Sequence, residues 1–243
     1  EVMRMKQQTI QRVEKKYVLS TAVYETIFTQ IAPYLMKDIY PTSHIYNLYL
    51  DGDDYHMITT SMQKPLYKEK LRLRSHAPMS LKDNGMVFLE IKKKYRQTVC
   101  KRRLELPLQE AMYMLERHDR KDSQIARELC YALAFHAALP KVYIAYDRCS
   151  YVGKQEPGLR ITFDKHIRGR MHKLNLQDEE GTFPLFEKDQ VLMEIKACGS
   201  YPFWLVEALS KLQIYPTSFS KVANIVMKEA KQKGGRQTCL QAF

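Results

Sequence analysis

No apolar run in this 243-residue chain approaches the ~18 residues that crossing a bilayer as a helix requires; the longest candidate, 131–139, is interrupted by His136. No signal peptide is visible, and a chain beginning at Glu1 rather than Met reads as a trimmed one. The five cysteines (100, 130, 149, 198, 239) are scattered and form no C-x-x-C pair, which argues against a disulfide framework and a zinc site. Three of them fall on the apolar side of strand-like segments, as small buried hydrophobes do. A reducing compartment, the cytoplasm, is the expectation. The seven histidines show no H-x-x-x-H or H-E-x-x-H spacing, so no His-ligated metal is expected. With nine glycines and no G-x-x-x-x-G-K-[ST], a Walker phosphate loop is excluded. No G-x-S-x-G or Cys-His pattern supports covalent hydrolysis, and no RNP-like, helix-turn-helix or zinc-finger pattern is present.

What is there is a core and an excess of positive charge. Hydrophobic residues make up 45% of the chain and aromatics 11%, which rules out a disordered polymer. Thirty-nine Lys and Arg against 27 Asp and Glu leave a net +12, implying an anionic partner: nucleic acid, an acidic membrane surface or a phosphate-rich small molecule. No repeat, low-complexity stretch or long linker divides the chain. It reads as one domain over 10–231, with disordered flanks at 1–9 and 232–243 around Gly234-Gly235. Strands are expected at 12–19, 45–51, 67–75, 86–95, 99–106, 142–151, 159–166 and 191–198. Helices are expected at 20–35 behind a Ser20 cap, at 53–61 ended by Lys64-Pro65, after Pro107, and at 123–138, 204–212 and 220–231. About eight strands with interspersed helices make an α+β layout.

Residues two apart in a strand share a face. Lys68, Lys70, Arg72 and Arg74 therefore lie opposite Leu71 and Leu73, and Glu90, Lys92 and Lys94 lie opposite Val87, Leu89 and Ile91. Lys101, Arg103 and Glu105 oppose Cys100, Leu104 and Leu106, although Arg102 interrupts that apolar side. The same parity groups Glu14 with Lys16, Tyr146 with Arg148, Arg160 with Thr162 and Asp164, and Glu194 with Lys196, and puts Lys15, Lys93 and Arg102 on the other face. A single wet sheet face is the ordinary explanation for one such strand. Stacked Lys and Arg on neighbouring strands repel, however, and need compensation. Either an open basic sheet lies on nucleic acid, or the strands close into a barrel whose charged lumen holds a polyanion. The basic faces carry few aromatics beyond Phe88 and Tyr146, which disfavours a base-stacking platform. The few interspersed carboxylates suit a hard cation bound beside phosphates.

Several segments carry a family resemblance: Arg-Val-Glu-Lys-Lys-Tyr at 12–17, Tyr-Leu-Asp at 49–51, Tyr-Lys-Glu-Lys-Leu-Arg-Leu-Arg at 67–74, Phe-Leu-Glu-Ile-Lys at 88–92 and Cys-Lys-Arg-Arg at 100–103. Tyr-Asp-Arg at 146–148, Leu-Arg-Ile-Thr-Phe-Asp at 159–164, Met-Glu-Ile-Lys at 193–196 and Ser-Phe-Ser-Lys at 218–221 continue it. Together, over roughly 10–229, the chain resembles the VTC domain, the polyphosphate polymerase domain of the vacuolar transporter chaperone and a branch of the triphosphate tunnel metalloenzymes, here in a stand-alone form. The resemblance implies an eight-stranded antiparallel closed barrel with helices packed on the outside. It implies that Lys16, Arg72, Arg74, Lys92, Arg148 and Arg160 grip the reacting phosphates. Lys70, Lys101, Arg103, Tyr146, Lys196, Ser220 and Lys221 would hold the rest of the substrate, with Lys221 closing one mouth. Glu194, helped by Glu14 and Glu90, would bind Mn or Mg.

One departure is informative. Hydrolytic tunnel enzymes begin with E-x-E-x-K, whereas this chain has Arg12-x-Glu14-x-Lys16, which favours the polymerase branch. The implied reaction moves the γ-phosphate of ATP onto a growing polyphosphate chain, with no general base because the attacking phosphate oxygen is already ionised. A crowd of cations this dense is expected to lower some lysine pKa values. The alternatives are a tunnel triphosphatase, a non-catalytic polyphosphate-binding module and a nucleic-acid binder. The expected partners are ATP and polyphosphate or triphosphate, without nucleic acid and without a membrane span of the chain's own. A membrane protein that takes up the product is a further candidate.

Overall fold

The structure, a computed structural model, describes residues 13–63, 65–96, 98–186 and 189–232. Arg12, Lys64, the expected flank at 1–9, Cys239 and the Gly234-Gly235 tail lie outside them. The chain opens with β1 (Val13–Ser20) and α1 (Thr21–Ile31), and the Ser20 hydroxyl accepts from the Val23 amide as the expected cap. A single 3-10 turn (Ala32–Tyr34) leads into β2 (Leu35–Asp51), then α2 (His56–Met62). Three hairpin-connected strands follow, β3 (Tyr67–Ser75), β4 (Met86–Tyr95) and β5 (Thr98–Pro107). After α3 (Leu108–Arg117) and α4 (Gln124–Phe135) come β6 (Leu139–Gly153), β7 (Arg160–Arg170), the two-residue β8 (Phe183–Pro184) and β9 (Gln190–Ala197). Helices α5 (Phe203–Lys211) and α6 (Lys221–Gln232) complete the described chain. No helix among the described residues is long and apolar enough to cross a membrane.

All pairings are antiparallel, in the order β1-β9-β7-β6-β2-β3-β4-β5, with β8 on the side of β7. Alternation gives the sheet two unlike faces. On the outer face, Leu71, Leu73, Leu89 and Ile91 pack under Met114 of α3 and Leu129 and Leu133 of α4. At the other end of the sheet, Ile161, Phe163, Met193 and Ile195 pack under Ile27 and Ile31 of α1 and Leu205 of α5. Lys93 and Arg102 belong to this outer face as parity requires, bound to Glu69 at 3.4 Å and to Glu128 of α4 at 3.0 Å, and Lys15 lies over the Tyr201 ring.

Two expectations about the architecture are corrected. The sheet is not closed into a barrel: β1 and β5 are its edges, and among the described residues they do not pair. It is nevertheless strongly curled, because Glu14 on β1 reaches Lys92 on β4, near the opposite end of the strand order, at 3.8 Å. Register breaks between Lys37 and Thr42 on β2 and between Ala145 and Asp147 on β6 add local twist to that curl.

The second correction concerns α6, which packs inside the curl instead of outside it. The inner face is charged only in part: Val142, Ile144 and Tyr146 precede Arg148, and Leu192 precedes Glu194, at the same parity. Val222 and Ile225 of α6 cover this apolar stretch together with Ile45 and Ile167. Gly169 permits the close approach, since a Cβ there would stand 2.7 Å from the Ile225 side chain and 2.7 Å from the Tyr143 carbonyl.

Candidate functional site

The remainder of the inner face is a groove of cations organised around a few buried carboxylates. Strand register creates the first cluster, since Glu90 on β4 stands between Arg72 on β3 and Arg103 on β5. Glu90 is 1% exposed and accepts from Arg72 Nε at 2.6 Å, Arg103 Nε at 2.6 Å and Lys101 Nζ at 2.7 Å. Burial raises its carboxyl pKa, but Arg72, Arg74 and Lys101 outweigh that and hold it far below the usual range. Burial brings Lys101 down to about 8 despite its contact with Glu90.

The second cluster lies across the groove, where β7 and β9 are adjacent. Asp164 is fully buried and takes a two-pronged contact from Arg148, Nε to Oδ1 at 2.6 Å and Nη2 to Oδ2 at 2.7 Å. Lys221, the first residue of α6, reaches both carboxylates, at 2.6 Å from Asp164 and 3.0 Å from Glu194. Its burial disfavours the charge, but Asp164 and Glu194 outweigh it and hold the ammonium above the ordinary lysine range. Arg148, Lys16 and Lys196 complete the shell of Glu194 at 3.6, 3.7 and 3.8 Å. Tyr146 presents its ring to Arg148 and Lys221, with centroid distances of 5.2 and 4.7 Å. Glu14 joins the two sides of the groove, within 3.8–3.9 Å of Lys16, Lys92 and Lys196.

Several cations of the groove also stand opposite one another across the strands. Lys68 and Lys94 stand directly opposite each other, as do Lys70 and Lys92, and Lys92 and Lys101. Among the described residues Lys70 has no carboxylate within ion-pair distance and only a 3.4 Å contact to the Ser220 hydroxyl. Burial, followed by Lys16, Lys68 and Lys92, brings its ammonium down to about 8 although Tyr49 pulls it up. Arg74 is 8% exposed and donates to the Asn47 side-chain oxygen at 3.1 Å, and among the described residues no carboxylate lies within ion-pair distance of it, although Glu90 acts on it from farther away. Tyr49 receives Arg72 Nη1 at 3.4 Å, and Arg72, Lys70 and Arg74 overcome its burial to bring the phenol down to about 8. The start of α6 is held here from several sides: Lys16 donates to the Phe219 carbonyl at 3.0 Å, and Ser220 contacts Lys70. Arg160 lies directly across from Lys196 on β9, on the same face as Glu194, 44% exposed and paired with Asp38 at 2.8 Å.

The model of the VTC domain matches residues 11–228. The chain belongs to the VTC domain family. Among solved structures it is similar to a proposed adenylate cyclase from Bacillus halodurans, with a TM-score of 0.53 and 13% identity over 87% of this chain and 95% of that one. A proposed adenylate cyclase from Vibrio parahaemolyticus gives 0.50 and 12% over 90% and 99%. At that identity the likeness is one of fold. No curated protein matches the sequence.

Within this VTC domain the metal expectation meets a difficulty. Glu194, Glu14 and Glu90 do not converge as a ligand set: Glu90 is enclosed by Arg72, Lys101 and Arg103, and Glu14 by lysines. Among the described residues no three His, Cys, Asp or Glu side chains group so as to hold a metal ion. Where two buried carboxylates do meet, at Asp164 and Glu194, the ammonium of Lys221 joins them. A resident divalent cation does not fit the side chains as they stand.

Sequence reasoning passed over Asp164, Tyr49, Asn47 and Asp38 as site residues. The signal for Asp164 was present, since it shares parity with Arg160 and Thr162. Asn47 and Tyr49 alternate with Leu48 and Leu50 and face Arg74 and Arg72 directly. Asp51 of the Tyr-Leu-Asp segment has a structural role, accepting from the amides of Gly52, Met57 and Ile58. Glu105, placed on the basic face by parity, is exposed and has no hydrogen-bond or ion-pair partner among the described residues.

Proposed function

We propose that this VTC domain is an ATP-dependent polyphosphate polymerase that binds phosphate chains along the inner groove. The observation that carries the reading is the row of opposed lysines, 68 with 94 and 70 with 92, beside an Arg74 that has no carboxylate within ion-pair distance among the described residues. Opposed cations, half-buried at Lys68 and Lys70 and exposed at Lys92 and Lys94, disfavour the phosphate-free chain, and a narrow polyanion laid between them offsets that repulsion.

In this mechanism the β- and γ-phosphates of ATP lie between the Glu90 and Glu194 clusters. Arg72 and Arg148 are held in orientation by Glu90 and Asp164, and their remaining guanidinium N–H groups face the transferring phosphoryl group. Lys16, Lys70, Lys92 and Lys196 act as point charges along the chain. A terminal oxygen of phosphate or polyphosphate attacks the γ-phosphorus, the bond to the β–γ bridging oxygen breaks, and ADP leaves with that electron pair. The growing chain gains one phosphate, and no proton need be removed from the nucleophile. Each of these tasks is assigned to the chain's own cations.

The test is product identity after incubation with ATP and Mn, resolved on a polyphosphate gel. Long chains with ADP support the polymerase. Free phosphate alone would assign hydrolysis, and tripolyphosphate binding without turnover would assign a binding module.

A further inference from the structure

Buried carboxylates need a counter-charge, and two of them within reach of one point need a strong one. Asp164 is fully buried and Glu194 is 6% exposed. The resemblance places a divalent cation on Glu194, helped by Glu14 and Glu90. Here the Asp164–Glu194 pair holds the Lys221 ammonium, itself 8% exposed, 2.6 Å from Asp164 and 3.0 Å from Glu194. The placement is built into the fold. Lys221 starts α6, whose Val222 and Ile225 are anchored in the apolar part of the curl, and the preceding residues are fixed by Lys16 on the Phe219 carbonyl and by Lys70 on Ser220. The Tyr146 ring supports the ammonium from a third side at 4.7 Å.

We propose that Lys221 is the resident counter-cation of the Asp164–Glu194 pair, a tethered ammonium standing in the place of a protein-held divalent metal. The unliganded chain then binds no Mn at this pair, and a linear triphosphate binds to the groove without a metal held by the protein. The ligand class rests on the phosphate-groove reading above. The cation assignment does not depend on which reaction follows.

Mn binding to the phosphate-free protein, followed by the loss of the free-ion EPR signal, tests this directly. Wild type is expected to show no tight site that Glu194→Gln removes. Lys221→Met, which leaves the two carboxylates without their counter-charge, is expected to bind one Mn at least about tenfold more tightly, and Lys221→Met/Glu194→Gln to lose that site. Calorimetric titration of wild type with tripolyphosphate is expected to give the same affinity, within about twofold, with and without EDTA. One equivalent of Mn on unliganded wild type, abolished by Glu194→Gln, would overturn the proposal, as would tripolyphosphate binding that EDTA abolishes. Both wild-type measurements decide the matter even where Lys221→Met fails to fold. Failure to bind tripolyphosphate under any condition would instead defeat the phosphate-groove reading, leaving the Mn result to judge Lys221 alone.

Discussion

Lys70 on β3 and Lys92 on β4 are direct cross-strand partners on the inner face of the sheet, and whereas Lys92 reaches Glu14 at 3.8 Å, Lys70 has no carboxylate in ion-pair reach among the described residues. Such a pair works against folding and in favour of anion binding. Lys70→Met is therefore expected to raise the stability of the phosphate-free protein by about 0.2–1 kcal/mol while weakening tripolyphosphate binding. Urea melts with and without tripolyphosphate check both halves. A variant that loses stability in phosphate-free buffer would contradict the account of this pair.

Parity makes a sharper contrast between neighbours in sequence. Lys92 faces the groove, whereas Lys93 faces outward to Glu69 at 3.4 Å. Lys92→Ala is expected to weaken tripolyphosphate binding about tenfold, the effect of losing roughly 1.4 kcal/mol of contact. Lys93→Ala should leave it unchanged and cost at most about 1 kcal/mol of stability, as an outer ion pair does. Equal losses of affinity for the two variants, measured by calorimetry, would defeat the two-faced reading of β4.

The groove titrates just above neutrality. Lys70 has its pKa lowered to about 8, so the unfolded chain holds this proton more tightly than the folded one. Between about pH 8 and the ordinary lysine value, the Lys70 contribution makes the phosphate-free protein more stable as pH rises. Affinity for tripolyphosphate should move the opposite way, falling from pH 7 to pH 9 as Lys70 loses its charge and as Tyr49, brought down to about 8, gains one. The affinity–pH curve should flatten in Lys70→Met and again in Tyr49→Phe. Identical curves for wild type and both variants would count against these assignments.

Glu90 predicts the reverse behaviour in acid. Its folded-state pKa is held below the ordinary carboxylate value, chiefly by Arg72 and Arg74 acting against burial. Its contribution is therefore complete above the unfolded-state pKa and is lost as pH falls through the folded-state one. Glu90→Gln leaves Arg72, Lys101 and Arg103 without their shared carboxylate, at a cost on the order of 3 kcal/mol. Added tripolyphosphate is expected to recover much of that in a thermal melt, by supplying the missing negative charge. A variant as stable as wild type at pH 7 would remove Glu90 from its place at the centre of the cluster.

The charged face was legible because β3, β4 and β5 run as regular hairpins, so a period of two in sequence is a period of two in space. Arg72, Glu90 and Arg103 fall in one row for that reason. The position of α6 was not legible. A helical period shows that Val222 and Ile225 share an apolar side, but not which face of the sheet that side meets. The absence of closure was equally hidden, since whether β1 meets β5 depends on the accumulated twist of the whole sheet. The first half of β2 escaped detection because Lys37, Asp38, Ile39 and Tyr40 show no alternation, and Ile39 is 86% exposed. Glu194 and Lys221 could each be picked out in sequence, yet their contact is a long-range pairing of β9 with the start of α6.

The central claim, transfer of the γ-phosphate of ATP to a phosphate chain, is tested most directly by following the reaction with phosphorus NMR. With ATP and Mg present, the account predicts that the γ-phosphate signal declines and mid-chain polyphosphate resonances grow, one chain phosphate appearing for each ADP. Accumulation of orthophosphate equal to the ADP formed, with no mid-chain signal, would contradict it.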